Sequence, residues 1–200
     1  MFDESLNPTK VNLYIAAAKL FADRGYDNVG MRDLANAVGI KVQSIYSHFK
    51  TKSEIRYGLF EAYTKQQYKI MPDIDDILKA AETEPPVEAL MLLHYHYPED
   101  IAPIMSQILA IGAMGISTDP DCWRFVEENT ILTSKRVIQV IERLIELGRI
   151  EPFDVKAFST IFLHYKVSST VLHATPMKFN TDDWYGGIRF LYDAFIKPIG

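Results

Sequence analysis

Hydrophobic positions recur along the chain at helical spacing, and no segment alternates apolar and polar residues in the way a half-buried strand would. A first helix is predicted from Asn7-Pro8-Thr9 to about Arg24, with Leu13, Ala17, Leu20 and Phe21 on one face and Gly25 as the stop. A second covers about Met31–Val38 and ends at Gly39, and a third covers about Lys41–Phe49. A fourth starts at Thr51, where "TKSE" is a capping box: the Thr51 hydroxyl serves the Glu54 N–H and the Glu54 carboxylate reaches back. It continues to about Ile70.

Shorter helices are predicted at 73–82, 86–97 and 99–115. Asp119-Pro120 caps a long one that ends at Gly148, and "EPFD" opens another over 155–174. The last runs from "NTDDW" to Phe195. The pattern is that of an all-α protein of nine or ten helices, without internal repeats or low-complexity tracts.

The third helix is the most informative. On a wheel of about 100° per residue, Ile45 and Phe49 share one side while Gln43, Ser44, Ser47 and His48 spread over the other. Leu34, Ala35 and Val38 of the second helix form a seam that can receive Ile45 and Phe49, with Gly39 permitting the sharp turn between them. A short helix pinned from behind, with amide and hydroxyl groups on its free face, suits insertion into a DNA major groove as part of a helix-turn-helix. A small α-hairpin with a solvated polar face would carry the same local pattern.

Charge sharpens the choice. The whole chain has a formal net charge of -5, yet residues 1–52 carry seven Lys/Arg against five Asp/Glu and residues 53–200 carry fourteen against twenty-one. A mildly cationic N-terminal module on an acidic body follows. Cys122 is the sole cysteine, which excludes an intrachain disulfide and points to a reducing cytoplasm. "MFDESLNPTK" has no apolar core of a secretory signal, and the apolar run 101–116 is too short and polar to span a bilayer, so no membrane role is expected.

The run "AAAKLFADRGYDNVGMRDLANAVGIKVQSIYSHFKTKSEI" resembles the DNA-binding domain of the TetR family of transcriptional regulators over about Lys10–Leu59. The likeness lies in Ala17, Leu20-Phe21, Gly25, Leu34-Ala35, Gly39-Ile40, Tyr46, His48-Phe49, Lys52 and Glu54. It implies a three-helix helix-turn-helix domain over 1–51 and a C-terminal helical bundle over 52–200 for dimerisation and ligand binding. It further implies a double-stranded DNA operator as partner, contacted by Arg32, Val42, Gln43, Ser44, Tyr46, Ser47, His48 and Lys52. Gln43, Ser44 and Ser47 would read bases, Tyr46 and His48 would hold the phosphate backbone, and Lys52 would add an ammonium at a helix N-terminus. Val42 lies nearer the buried edge of the wheel. Gly30 and Lys41 stand where the family often has a Ser or Thr cap, and Gln43 where a small residue is common, departures that bear on the operator sequence rather than on binding itself.

The same resemblance implies a homodimer through the last two helices and a small, largely apolar effector. The residues agree with the first: 155–174 is apolar on more than one side (Phe158, Ile161, Phe162, Tyr165, Val167, Val171, Leu172), and the last helix has a stripe of Trp184, Ile188, Leu191, Tyr192 and Phe195. Met91, Tyr95, Met105, Trp123, Phe162 and Tyr165 are candidates to line an effector pocket, although residues of these types equally fill a core. Gly112 and Gly115 interrupt an apolar helix, as a break or a close approach. His94 and His96, two apart, do not have the spacing of a zinc pair, and no nucleophile motif, phosphate loop or carboxylate pair suggests catalysis. Neither a metal, a cofactor nor an enzyme activity is therefore expected. The alternative to an operator-binding repressor is a helical protein-interaction module that keeps the fold.

Overall fold

The structure, a computed structural model, describes residues 1–3, 6–94, 97–173 and 181–199, with the side chains of 169–173, 181 and 182 left aside. Ten helices and no strand occur among them: α1 Pro8–Arg24, α2 Met31–Ala37, α3 Val42–Ile45, α4 Lys52–Ile70, α5 Ile74–Thr83, α6 Pro86–Met91, α7 Ala102–Gly115, α8 Pro120–Glu146, α9 Val155–His173 and α10 Thr181–Phe195. The chain forms two compact units, Met1–Lys69 with Tyr97–Val126, and Ile70–His96 with Glu127–Gly200.

In the first unit, the Asn7 side chain accepts from the Thr9 N–H at 2.8 Å and Pro8 takes the first helical position, so α1 starts with its orphan donors served. Leu13, Ala17, Phe21, Leu34, Ile45, Phe49, Ile55 and Leu59 are all essentially inaccessible and form a shared core for α1 to α4. Burying each large side chain of this set contributes about 1.5–3 kcal/mol. The start of α8 is held by Asp119, which accepts from the Asp121 N–H at 2.9 Å and pairs with the buried Arg56 of α4 at 2.6 Å. Burial alone would raise the Asp119 carboxyl pKa, but that N–H and the guanidinium keep it below its ordinary value.

Gly112 and Gly115 do not break α7. They admit α8: a Cβ at Gly112 would fall 2.5 Å from the Phe125 ring, and one at Gly115 2.5 Å from Cys122 Sγ. Phe125 then stacks on Phe60 of α4 with centroids 4.1 Å apart.

The second unit begins with Asp73 accepting from the Asp75 N–H, and α9 with Asp154 accepting from the Ala157 N–H. Its core is Ile77, Leu90, Val137, Val140, Ile141, Leu144, Phe158, Phe162, Ile188 and Tyr192. Arg189 of α10 pairs with Glu88 of α6 at 2.5 Å, and Arg143 of α8 with Glu82 of α5 at 2.7 Å.

Three helices are shorter than their sequence pattern predicts. α3 has a single α-helical turn, after which Tyr46–His48 continue as a tighter turn whose His48 and Phe49 N–H groups both reach the Ile45 carbonyl. α6 stops at Met91 instead of extending to 97, and the Leu93 and His94 N–H groups reach back only three residues, to the Leu90 and Met91 carbonyls. α7 starts at Ala102 rather than 99, because Pro103 has no N–H to give the Glu99 carbonyl in an earlier helix.

Candidate DNA-binding surface

Between α2 and α3 the chain closes a Schellman motif. Gly39 adopts φ 73°, its N–H donates to Asn36 O at 3.2 Å, and the Ile40 N–H donates to Ala35 O at 3.0 Å. A left-handed residue is what this reversal requires, and glycine takes it without steric cost. At the other end of α2, Gly30 has no side-chain oxygen, but the Asp33 carboxylate accepts from the Gly30 N–H at 2.7 Å. The half of the capping box that needs only an acid is thus retained.

The turn delivers α3 with Ile45 and Phe49 fully buried beneath it. Gln43, Ser44, Tyr46 and Ser47 are exposed, with Tyr46 at 54%. Val42 and His48 are half-buried at the edges of this face, and Arg32 is exposed at the start of α2. Ser47 Oγ donates to the Ser44 carbonyl at 2.7 Å, so that hydroxyl sits close to the helix and offers its lone pairs outward.

Lys52 occupies a more constrained place than its helix-terminal position suggests. Its ammonium donates to the Tyr26 carbonyl at 2.7 Å and lies 4.1 Å from the Tyr26 ring centroid. Burial lowers its pKa, an effect that Asp27 partly offsets. Arg56 covers the same ring at 4.2 Å, and the Tyr26 hydroxyl meets Ser53 Oγ at 3.0 Å. Tyr26 is therefore a platform for two cations, a role that spacing could not reveal because it joins residues 26 apart through the end of α1. The predicted cap of α4 is present: Thr51 Oγ1 accepts from the Glu54 N–H at 3.1 Å, while the Glu54 carboxylate reaches the Lys50 N–H at 2.7 Å.

The candidate effector residues are divided between the two units. Met105 is buried in the first unit, where Trp123 is 51% exposed. Met91, Phe162 and Tyr165 belong to the second unit, where Phe162 is buried and the Tyr165 hydroxyl donates to the Trp184 carbonyl at 3.1 Å. Tyr95 lies outside the described residues. The sequence reading set His94 aside as a zinc ligand and passed over Lys166, both in this unit. His94 is buried with its Nε2 2.7 Å from the Tyr192 hydroxyl, and Lys166 donates to Thr133 Oγ1 at 2.7 Å. The signal for Lys166 was a single cation inside the apolar run "FSTIFLHYKVSSTVL".

No helix among the described residues is long and apolar enough to cross a membrane. The buried-back, polar-front α3 after a glycine turn defines a helix-turn-helix DNA-binding module. Residues 13–57 match the family described as "Bacterial regulatory proteins, tetR family". Over 149 residues the chain is 27% identical to the HTH-type transcriptional repressor KstR2 of Mycobacterium tuberculosis, covering 74% of this chain and 72% of that protein. A shorter match, 35% over 51 residues, links it to the HTH-type transcriptional activator FasR of Mycolicibacterium smegmatis, spanning 26% of this chain and 23% of FasR. In fold it is similar to the solved ketosteroid transcriptional regulator KstR2 of Mycobacterium tuberculosis, with TM-score 0.69, 22% identity and coverage of 96% and 97% of the two chains. It is similar also to a γ-butyrolactone receptor described as an ArpA-like protein, with TM-score 0.66, 15% identity and coverage of 96% and 89%. Residues 13–57 thus match the DNA-binding domain of the TetR family, and the chain is a DNA-binding transcriptional regulator similar to the repressor KstR2.

Proposed function

We propose that the protein represses transcription by binding a near-palindromic operator as a homodimer, and that a small, largely apolar effector releases it. The observation that carries the DNA half is the exposure of Gln43, Ser44 and Ser47 on α3 and the turn that continues it, anchored by the fully buried Ile45 and Phe49. Gln can bond adenine bidentately, and Ser can donate to or accept from any base edge. Arg32, Tyr46, His48 and Lys52 flank that face and supply phosphate contacts, with Val42 in reach of a thymine methyl. In this reading residues 1–51 read DNA, and residues 52–200 dimerise and bind effector.

One α3 covers only a few base pairs, so two copies about 34 Å apart are needed for affinity and register. The last two helices supply the dimer contact: Ile161 of α9 is 44% exposed and Phe190 of α10 is 71% exposed, apolar area left over after the second unit has packed its own core. The sign of regulation follows the longer match, to a protein named a repressor, and the effector reading follows two fold relatives named for a ketosteroid and a γ-butyrolactone. An effector acts by binding better to the DNA-incompetent state.

The test is a mobility-shift titration with the DNA flanking the protein's own gene. Site-specific binding that weakens steeply between about 50 and 200 mM salt is expected. Absence of a retained, competitor-resistant complex would favour the protein-interaction alternative.

A further inference from the structure

Two cations share one aromatic ring in the first unit. The Lys52 ammonium lies 4.1 Å from the Tyr26 ring centroid, and the Arg56 guanidinium carbon lies 4.2 Å from it. Their charges are separated by at most those two distances together, about one Debye length at physiological salt. Like charges so placed repel, and burial weakens the screening. Lys52 registers this: burial lowers its pKa, Asp27 opposes the shift, and the Arg56 charge adds to it.

A carboxylate from far along the chain lets the pair stand. Arg56 is 4% exposed, and its one ion pair among the described residues is with Asp119, at 2.6 Å. The Arg56 Nε has no hydrogen-bond partner, so the guanidinium depends on that carboxylate. Asp121, two residues on, is engaged elsewhere: it accepts from the Tyr57 hydroxyl and lies 3.8 Å from Arg124. Asp119 has a second task, since it caps α8 by accepting from the Asp121 N–H at 2.9 Å. Asparagine and serine cap a helix as well as aspartate does, but carry no charge. Substitution can therefore separate the cap from the counter-charge.

We propose that Asp119 is a positioning residue for DNA binding: as the counter-charge of Arg56, it allows Lys52 to stay on the Tyr26 ring and carbonyl, where it meets phosphate. Without that carboxylate, the uncompensated buried guanidinium drives the more exposed ammonium off the ring. This rests on the reading of Lys52 as a phosphate contact, and adds the residue that keeps it in place.

General electrostatics argues the other way, because removing a carboxylate from a protein that binds a polyanion should strengthen binding. The test is fluorescence anisotropy with an operator duplex selected from a random library. Asp119→Asn weakens operator binding about fivefold, with base preference unchanged. Asp119→Glu, which keeps the charge and impairs the cap, stays within about twofold of wild type. In a Lys52→Ala background, Asp119→Asn causes no further loss. Arg56→Met combined with Asp119→Asn has the net charge of the wild type and recovers its affinity to within about twofold, a rescue that a capping or packing role would not give.

Should Asp119→Asn lose its helical circular dichroism, Asp119→Ser is read in its place. The double variant, which buries no unpaired charge, then decides: affinity as low as that of Lys52→Ala overturns the proposal. Unchanged or tighter binding by folded Asp119→Asn, or losses that multiply with Lys52→Ala, overturns it too and leaves the Lys52 contact standing. Wild-type affinity in Lys52→Ala removes that contact, and the proposal with it.

Discussion

The Lys52 ammonium and Tyr26 are held together twice, by a 2.7 Å bond to the tyrosine carbonyl and by a ring face 4.1 Å away. A cation fixed in this way cannot sweep the surface for phosphate; it presents its charge at one point, beside the N-terminus of α4. Lys52→Ala is expected to weaken operator binding to a similar degree on all sequences and to reduce the slope of log affinity against log salt by about one unit. Tyr26→Leu, which removes the ring and keeps the carbonyl, should reproduce part of the affinity loss with the slope unchanged. Fluorescence anisotropy across a salt series checks both, and an unaltered slope in Lys52→Ala would remove that residue from the phosphate contacts.

Gln43 stands free of intramolecular side-chain bonds among those described, on the exposed face of α3. Gln43→Ala should relax discrimination at one or two operator positions, each by about 1–3 kcal/mol, while Ile45→Ala should lower stability and affinity together without changing base preference. Selection from a randomised operator library distinguishes the two, and an identical selected consensus for Gln43→Ala would contradict its reading role.

Gly39 has open space where a Cβ would go, so any cost of substitution there is a backbone cost. At φ 73° an alanine should destabilise the protein by ~1 to 2 kcal/mol, and asparagine by less, since its side chain tolerates the left-handed region. Urea unfolding midpoints give the comparison. Equal stability of the alanine variant would show that the turn relaxes to another geometry.

His94 makes stability fall in mild acid. Its folded-state pKa of about 3 lies below the ordinary 6.5, so the unfolded chain takes up a proton first as pH drops. The stabilisation is complete above about 6.5 and is lost progressively down to about 3. Between about pH 6 and pH 5, where carboxylates are still mostly ionised, wild type should lose about 1 kcal/mol relative to His94→Gln. Parallel stability curves for the two proteins would show that the ring does not titrate on unfolding.

Phe190 is the most exposed large apolar residue of α10. Replacing it with glutamate should dissociate the dimer and, with it, the sharp operator complex, while leaving helical content intact. Sedimentation velocity at micromolar concentration measures this; an unchanged sedimentation coefficient would move the interface away from this face.

Much of the DNA-binding surface was legible in the linear chain because its determinants are local. The alternation that sends Ile45 and Phe49 inward and Gln43, Ser44 and Ser47 outward spans less than three turns, and the Gly39 turn and the Thr51–Glu54 cap are sequence-adjacent bonds. The same locality explains the error over α3, where the pattern extended the helix to Phe49: periodicity marks which residues face the core, and a tight turn after Ile45 keeps those facings without continuing the α-helical ladder.

What the amino-acid order determined by itself was therefore the all-helical class, most of the helix starts, and the polarity of the face offered to DNA, all set by interactions within a few residues. Tertiary structure decided the rest. It set Tyr26 under Lys52 and Arg56, let Gly112 and Gly115 receive α8, assigned Met105 and Trp123 to one unit and Met91 and Phe162 to the other, and turned the Lys166 ammonium to Thr133. Each of these depends on which helices share a core. That choice is made by summed apolar burial over distant segments, which no window along the chain contains.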